Sequence, residues 1–161
     1  MAVDMFIKID DIEGESADKT HGKEIDVLAW SWGLSQSGTT HTGTGGGAGK
    51  VNVQDLSFTK YIDSASHALQ LACYGGKHIP KAVLVVRKAG ENPLEYIKIT
   101  MEELIVTSVS TGGSGGEDRL TENVTLNFAK VKFEYDPQTK QGAGKGVKTA
   151  AWNIAENAKY G

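Results

Sequence analysis

Met5, Ile7 and Ile9 alternate with Phe6, Lys8 and Asp10, the period of two that marks an extended strand, and Asp11, Gly14 and Glu15 end it. A second alternating stretch, from about Ile25 to Leu34, puts Leu28, Trp30, Trp32 and Leu34 on one face and Ala29, Ser31, Gly33 and Ser35 on the other. Burying the bulky set stabilises by several kcal/mol at roughly 25 cal/mol per Å², so that face is expected in the core and the bare face outside. Val51 to Tyr61 reads as a third strand. The spacing then changes to three and four: Ala65, Ala68, Leu69, Ala72 and Cys73 form the apolar stripe of a helix at about residues 64–74. Asp63 and Ser64 are its N-cap candidates, and Gly75 and Gly76 its stop. Lys81 to Lys88 and Leu94 to Ser110 are β-branched and apolar, separated by the turn residues Glu91, Asn92 and Pro93, which predicts a hairpin. Val124, Leu126 and Phe128 alternate before the phase shifts to Val131, Phe133 and Tyr135. Such a shift predicts a bulge near Ala129 or Lys130, since otherwise one apolar set would face solvent.

Between these elements the chain is rich in glycine. Thirteen of its twenty glycines fall in three segments, at about residues 36–50, 111–117 and 138–148. The first has no large apolar side chain whose burial would offset the entropy of ordering, and all three are expected to be flexible loops. Past the third, Trp152 and Ile154 are the large apolar anchors. The 161 residues suit one domain, and strands separated by turns with one helix predict a mainly β, antiparallel barrel or sandwich with a flanking helix.

Charge and composition remove several function classes. The formal net charge is -3, and Arg87 and Arg119 are the only arginines, which disfavours nucleic acid as a partner because phosphate binding draws on clustered cations. Cys73 is the single cysteine, too few for an internal disulfide or a cysteine-rich zinc site. The longest apolar run, Ala82 to Val86, is far short of the ~20 residues that cross a bilayer, so no membrane insertion is expected. The opening residues carry acids where a secretory leader carries bases, so no signal peptide is expected either.

The residues that suggest chemistry fail on spacing. Gly49-Lys50 ends a glycine-rich loop, but a phosphate loop needs glycine where Thr44 stands and a hydroxyl where Val51 stands. Gly43, Gly45 and Ala48 approach a dinucleotide fingerprint without opening a helix. Cys73 lies on the apolar stripe, where a small buried hydrophobe is the commoner role. His21, His41, His67 and His78 lack metal-binding spacing. Asp10-Asp11 and Glu102-Glu103 are adjacent, so in a strand they point to opposite faces. No catalytic, metal or cofactor residue is expected, nor an enzyme. What remains is the bare face of Ala29, Ser31 and Gly33, which lets another molecule come close.

The opening Met5-Phe-Ile-Lys-Ile-Asp-Asp-Ile-Glu-Gly-Glu-Ser16, the segment Ile25 to Gly33 with Trp30-Ser31-Trp32-Gly33, the helix region from Asp63 to Gly75, the strand Glu122-Asn-Val-Thr-Leu-Asn-Phe-Ala-Lys-Val131 and the region from Ala151 to Asn157 closely resemble the haemolysin-coregulated protein (Hcp) family. The resemblance spans the chain in order. It implies a β-barrel that forms hexameric rings, which stack into the inner tube of the bacterial type VI secretion apparatus and resemble phage tail tubes. It also implies effector proteins held in the lumen, contacts with spike, sheath and baseplate, and export from the cytoplasm without a signal peptide. On that reading Ala29, Ser31 and Gly33 line the lumen and contact cargo, and the loop carrying Thr40, His41, Thr42, Gly45, Gly46 and Gly47 docks on the adjacent ring. The competing class is a monomeric binding module, such as a carbohydrate-binding barrel with Trp30, Trp32 or Trp152 exposed for stacking.

Overall fold

The computed structural model describes residues 3–38, 49–90, 93–137 and 146–161. In chain order these form β1 (Val3–Ile9), β2 (Ile25–Asp26), β3 (Ala29–Ser31), β4 (Leu34–Ser35), β5 (Asn52–Val53), β6 (Leu56–Tyr61), α1 (Ser66–Gly75), β7 (Ile79–Lys88), β8 (Glu95–Thr111), β9 (Thr121–Tyr135), β10 (Lys148–Asn153) and β11 (Ala158–Lys159). Every strand pairing is antiparallel. The expected hairpin is β7–β8, which β9 extends into a long meander, with β1 on the far side of β7. The second edge of β9 is shared, by β6 along Thr121–Leu126 and by β10 along Lys130–Tyr135.

The predicted strand from Ile25 to Leu34 is instead three short ones, because the chain changes partner in its middle. Ile25 and Asp26 pair with β1, and the Val27 N–H donates to the Met5 carbonyl. One residue later the Leu28 N–H donates to the Thr59 carbonyl, and Ala29–Ser31 pair with β6. This kinked segment links the two ends of the sheet, which curls around one apolar core. The kink also changes which positions face inward. Ile25 and Val27 are buried, Trp30 and Trp32 pack half-buried against the core, and Leu28 and Leu34 are 39% and 59% exposed rather than interior.

The phase change in β9 is present, but its cause differs from the expected bulge. The inward positions also change phase in β7 and β8, from Ile79 to Ala82 and from Met101 to Leu104, at the level where Phe128 gives way to Val131. The β8–β9 register runs unbroken through it, with Glu102 opposite Lys130 and Leu104 opposite Phe128. Strain is taken up at Glu103, whose φ of 54° is left-handed. The register of β8 against β9 slips instead between Val106 and Ser108, leaving Thr107 as the extra residue.

Helix α1 starts two residues later than expected. Its N-cap position is Ala65, and Asp63 acts from two residues earlier, accepting the Ala65 N–H at 2.9 Å. Gly76 ends the helix at φ 60°, where its lack of a Cβ removes the usual penalty, and its N–H caps the Ala72 carbonyl. Ala65, Leu69 and Ala72 enter the core as the stripe requires.

Two polar clusters brace this shell. Lys60 lies at an inward position of β6 with its side chain fully buried. Its Nζ meets Glu122 of β9 at 2.5 Å, Asp63 at 2.8 Å and Ser66 at 3.2 Å, so one cation joins β6, β9 and the start of α1. The second cluster pins the excursion between β1 and β2. Arg87 holds Asp18 at 2.7 and 3.1 Å and Asp4 at 3.1 Å, and its guanidinium lies over the Phe6 ring. His21 stacks on that ring and meets Glu24 at 3.0 Å through Nδ1 and Glu95 at 2.7 Å through Nε2.

Removing one partner of a buried ion pair strands the other's charge, so Lys60→Ala is expected to cost about 3–5 kcal/mol in denaturant unfolding, whereas the double change Lys60→Met with Glu122→Leu costs far less. A single-variant loss below about 1 kcal/mol contradicts this role for the cation.

A pH effect follows from the second cluster. Burial pulls the His21 pKa down, but the hydrogen bonds its ring donates to Glu95 and Glu24 prevail and hold it above the ordinary 6.5. Its contribution is therefore complete below pH 6.5 and lost as pH rises through the folded-state value. The Arg87 guanidinium holds the Asp18 carboxyl well below its usual 3.8, a contribution present above that value and lost in strong acid. Stability measured against pH should decline above about pH 6.5, and His21→Gln should flatten that limb.

Candidate functional site

The inward positions of β6, β9 and the C-terminal half of β8 carry Leu56, Phe58, Val124, Leu126 and Val106, all buried. The residues between them must therefore point to the other side of the sheet. Cross-strand register arranges them in rows. Ala29, Thr59, Asn123 and Ser110 form one, and Ser31, Ser57, Thr125 and Ser108 the next. Asp55, Thr107 and Asn127 continue the surface beyond Ser57. Ala29 and Ser31 are exposed as expected. Gly33 is half-buried and less open, since a Cβ there would lie 3.2 Å from the Gln54 side chain.

The face is small, polar and nearly uncharged, Asp55 being the one ionisable residue among those named. Hydrogen bonds tie it together. The Thr59 hydroxyl donates to the Asn123 amide oxygen at 2.6 Å. Thr107 Oγ1 lies 2.7 Å from Asp55 and 2.6 Å from the Thr125 hydroxyl, which lies 2.7 Å from that of Ser108. Asn127 donates to the other Asp55 oxygen at 2.9 Å. The extra residue in β8 makes this possible, because a bulge turns two successive side chains, Thr107 and Ser108, to one face.

Only Ala29, Ser31 and Gly33 were singled out by sequence. Ser57, Thr59, Thr107, Ser108, Asn123, Thr125, Asn127 and Asp55 were missed, although the polar positions alternating with Leu56, Phe58, Val124 and Leu126 carried the signal. The residues expected to dock on a neighbouring ring, Thr40, His41, Thr42, Gly45, Gly46 and Gly47, lie outside the described residues.

A second surface was not foreseen. Beyond β3, the β4–β5 ribbon stands off from β9 and β10 and encloses an open apolar groove of about 570 Å³, lined by Trp32, Leu34, Val51, Val53, Val131, Phe133 and Trp152 among others. The Trp32 indole N–H donates to the Gln54 carbonyl at 3.0 Å, and that of Trp152 is buried with no protein acceptor among the described residues. Trp30, Trp32 and Trp152 are all half-buried, so none is the freely exposed platform that a carbohydrate-binding module was expected to show. Cys73 is half-buried, His67 and His78 are exposed, and among the described residues no His, Cys, Asp and Glu group has metal-binding geometry.

The family model described as type VI secretion system effector, Hcp, matches residues 6–135. The chain is 66% identical to a Pseudomonas aeruginosa protein named Protein hcp1, over 99% of each. Hcp1 from Salmonella typhimurium superposes with a TM-score of 0.83 at 48% identity, covering 99% of this chain and all of that one. A type VI secretion system effector from Yersinia pestis superposes with a TM-score of 0.77 at 41% identity, covering 93% and 99%. The chain belongs to the Hcp family.

Proposed function

We propose that this Hcp-family chain is the structural subunit of a type VI inner tube: it assembles into a homo-hexameric ring, and rings stack into a tube that is expelled with effector proteins in its lumen. The spike, sheath and baseplate of the apparatus are its further partners, and its route runs from the cytoplasm out through that apparatus. The observation that carries the reading is the polar face of β3, β6, β9 and β8, with Ser31 on its edge strand β3. Small side chains make a smooth wall, and neutral hydroxyl and amide contacts are worth only about 0.5–1.5 kcal/mol each. Such a wall holds a passenger without trapping it.

Ring closure needs two unlike patches on each subunit. Among the described residues, strand β3 pairs with β6 on one side only, and β10 is paired by β11 only at Trp152 and Asn153, so each leaves backbone groups open along an edge. Exposed Leu34, in the groove, Val147, just before β10, and Leu71 and Tyr74, on α1, supply apolar surface that the subunit's own core does not use.

Size-exclusion chromatography with light scattering should give six times the chain mass, and negative-stain images should show annular particles; a monomer at micromolar concentration contradicts the proposal. Replacing Ser31 with tryptophan or arginine is expected to leave that mass unchanged while a small effector no longer co-purifies with the ring. Normal effector recovery from such rings would remove Ser31 from the contact.

A further inference from the structure

The hydrogen bonds around Asp55 fix more than geometry, because each hydroxyl has one proton to give. A carboxylate only accepts, so the Thr107 hydroxyl, 2.7 Å away, donates to Asp55. With its proton committed, Thr107 must accept in its 2.6 Å contact with Thr125, so Thr125 is the donor there. Thr125 then has none left for Ser108 at 2.7 Å, and Ser108 donates to it. Three successive hydroxyl protons thus point toward Asp55, along a chain whose members come from β8 and β9. Asn127 spends one amide N–H on the second carboxylate oxygen.

What remains for an incoming molecule is set by subtraction. The hydroxyls of Thr107, Thr125 and Ser108 have lone pairs free and no proton, and Asp55 has its charge and its remaining lone pairs. The patch is half-buried at Asp55 and Thr125 and exposed at Thr107, Ser108 and Asn127, so these acceptors are reachable. No cation among the residues of the face neutralises Asp55. Its carboxylate is held in place by two donors before any partner arrives, which lowers the ordering cost of binding.

We infer that the Asp55–Thr107–Thr125–Ser108 chain makes this end of the polar face an acceptor surface selective for lysine and arginine side chains of a passenger protein, with Asp55 as the specificity-determining residue. Ammonium and guanidinium groups donate without accepting and carry the complementary charge, whereas a carboxylate meets like charge and finds no free hydroxyl proton in the chain. The inference rests on the proposed function only in taking the partner to be a passenger protein; the polarity of the chain belongs to the subunit itself.

The test uses the full-length protein at low ionic strength with fluorescent hexa-lysine and hexa-glutamate peptides, read by anisotropy. Wild type should bind hexa-lysine in preference to hexa-glutamate. Asp55→Asn should weaken hexa-lysine by about tenfold, the loss of a charge-assisted contact, and Asp55→Glu should recover part of it. Glu13→Gln removes the same unit of charge at an exposed site on the β1–β2 excursion and should change binding by less than about twofold, the screened effect of a distant charge. Carbodiimide coupling of hexa-lysine to the wild type, mapped by mass spectrometry, should mark Asp55 and keeps the test decisive if Asp55→Asn does not fold. Unchanged binding in Asp55→Asn, an equal loss in Glu13→Gln, or absence of Asp55 from the coupled carboxylates each overturns the inference. Light scattering on the same samples separates the two ideas: a wild type that stays monomeric defeats the ring, while peptide selectivity still decides the role of Asp55.

Discussion

The period-two geometry of paired strands ties the inside of this protein to its outside. Leu56, Phe58, Val124 and Leu126 are all buried, and burying each such side chain is worth about 1.5–3 kcal/mol. A slip of one residue in β6 or β9 would turn the whole set to solvent. Core packing therefore fixes the positions of Ser57, Thr59, Asn123 and Thr125 on the opposite face. The polar wall carries little packing of its own and is held in register by the apolar layer beneath it.

Departures from regularity are where the fold acquires particular properties. The partner change between Val27 and Leu28 carries the sheet from β1 to β6 and places Ser31 beside Ser57. The extra residue at Thr107 brings a hydroxyl from β8 onto Asp55. Lys60 takes an inward position that a hydrophobe would fill at less desolvation cost, and it fastens β6 to β9 and to α1. Each device acts between strands distant in sequence, so each helps define one arrangement of the sheet.

That distance separates what the chain discloses from what it conceals. The β7–β8 hairpin, the α1 stripe and the alternation in β1 and β9 depend on near neighbours and were legible. So was the outward exposure of Ala29 and Ser31, and family resemblance in the Trp30–Gly33 segment and the Glu122–Val131 strand pointed to the Hcp fold. The break in the 25–34 stretch was not legible, because Leu28 and Leu34 fit a regular inward face until the change of partner strand is known. The phase change near Ala129 was visible, but its sharing by three strands was not. Asp55, Thr107 and Thr125 join only through cross-strand register, which composition and spacing along one segment do not encode.

In the proposed assembly the face around Ser31 becomes the inner wall of a ring. The most direct measurement is the labelling of Ser31→Cys in a Cys73→Ala background, comparing a small maleimide with maleimide-polyethylene glycols of increasing mass on assembled protein. Complete reaction is expected with the small reagent, and a steep fall toward one label per ring as the polymer approaches the size of a confined lumen. Equal, complete reaction with every reagent on intact rings would place Ser31 on an outer surface and contradict that assembly.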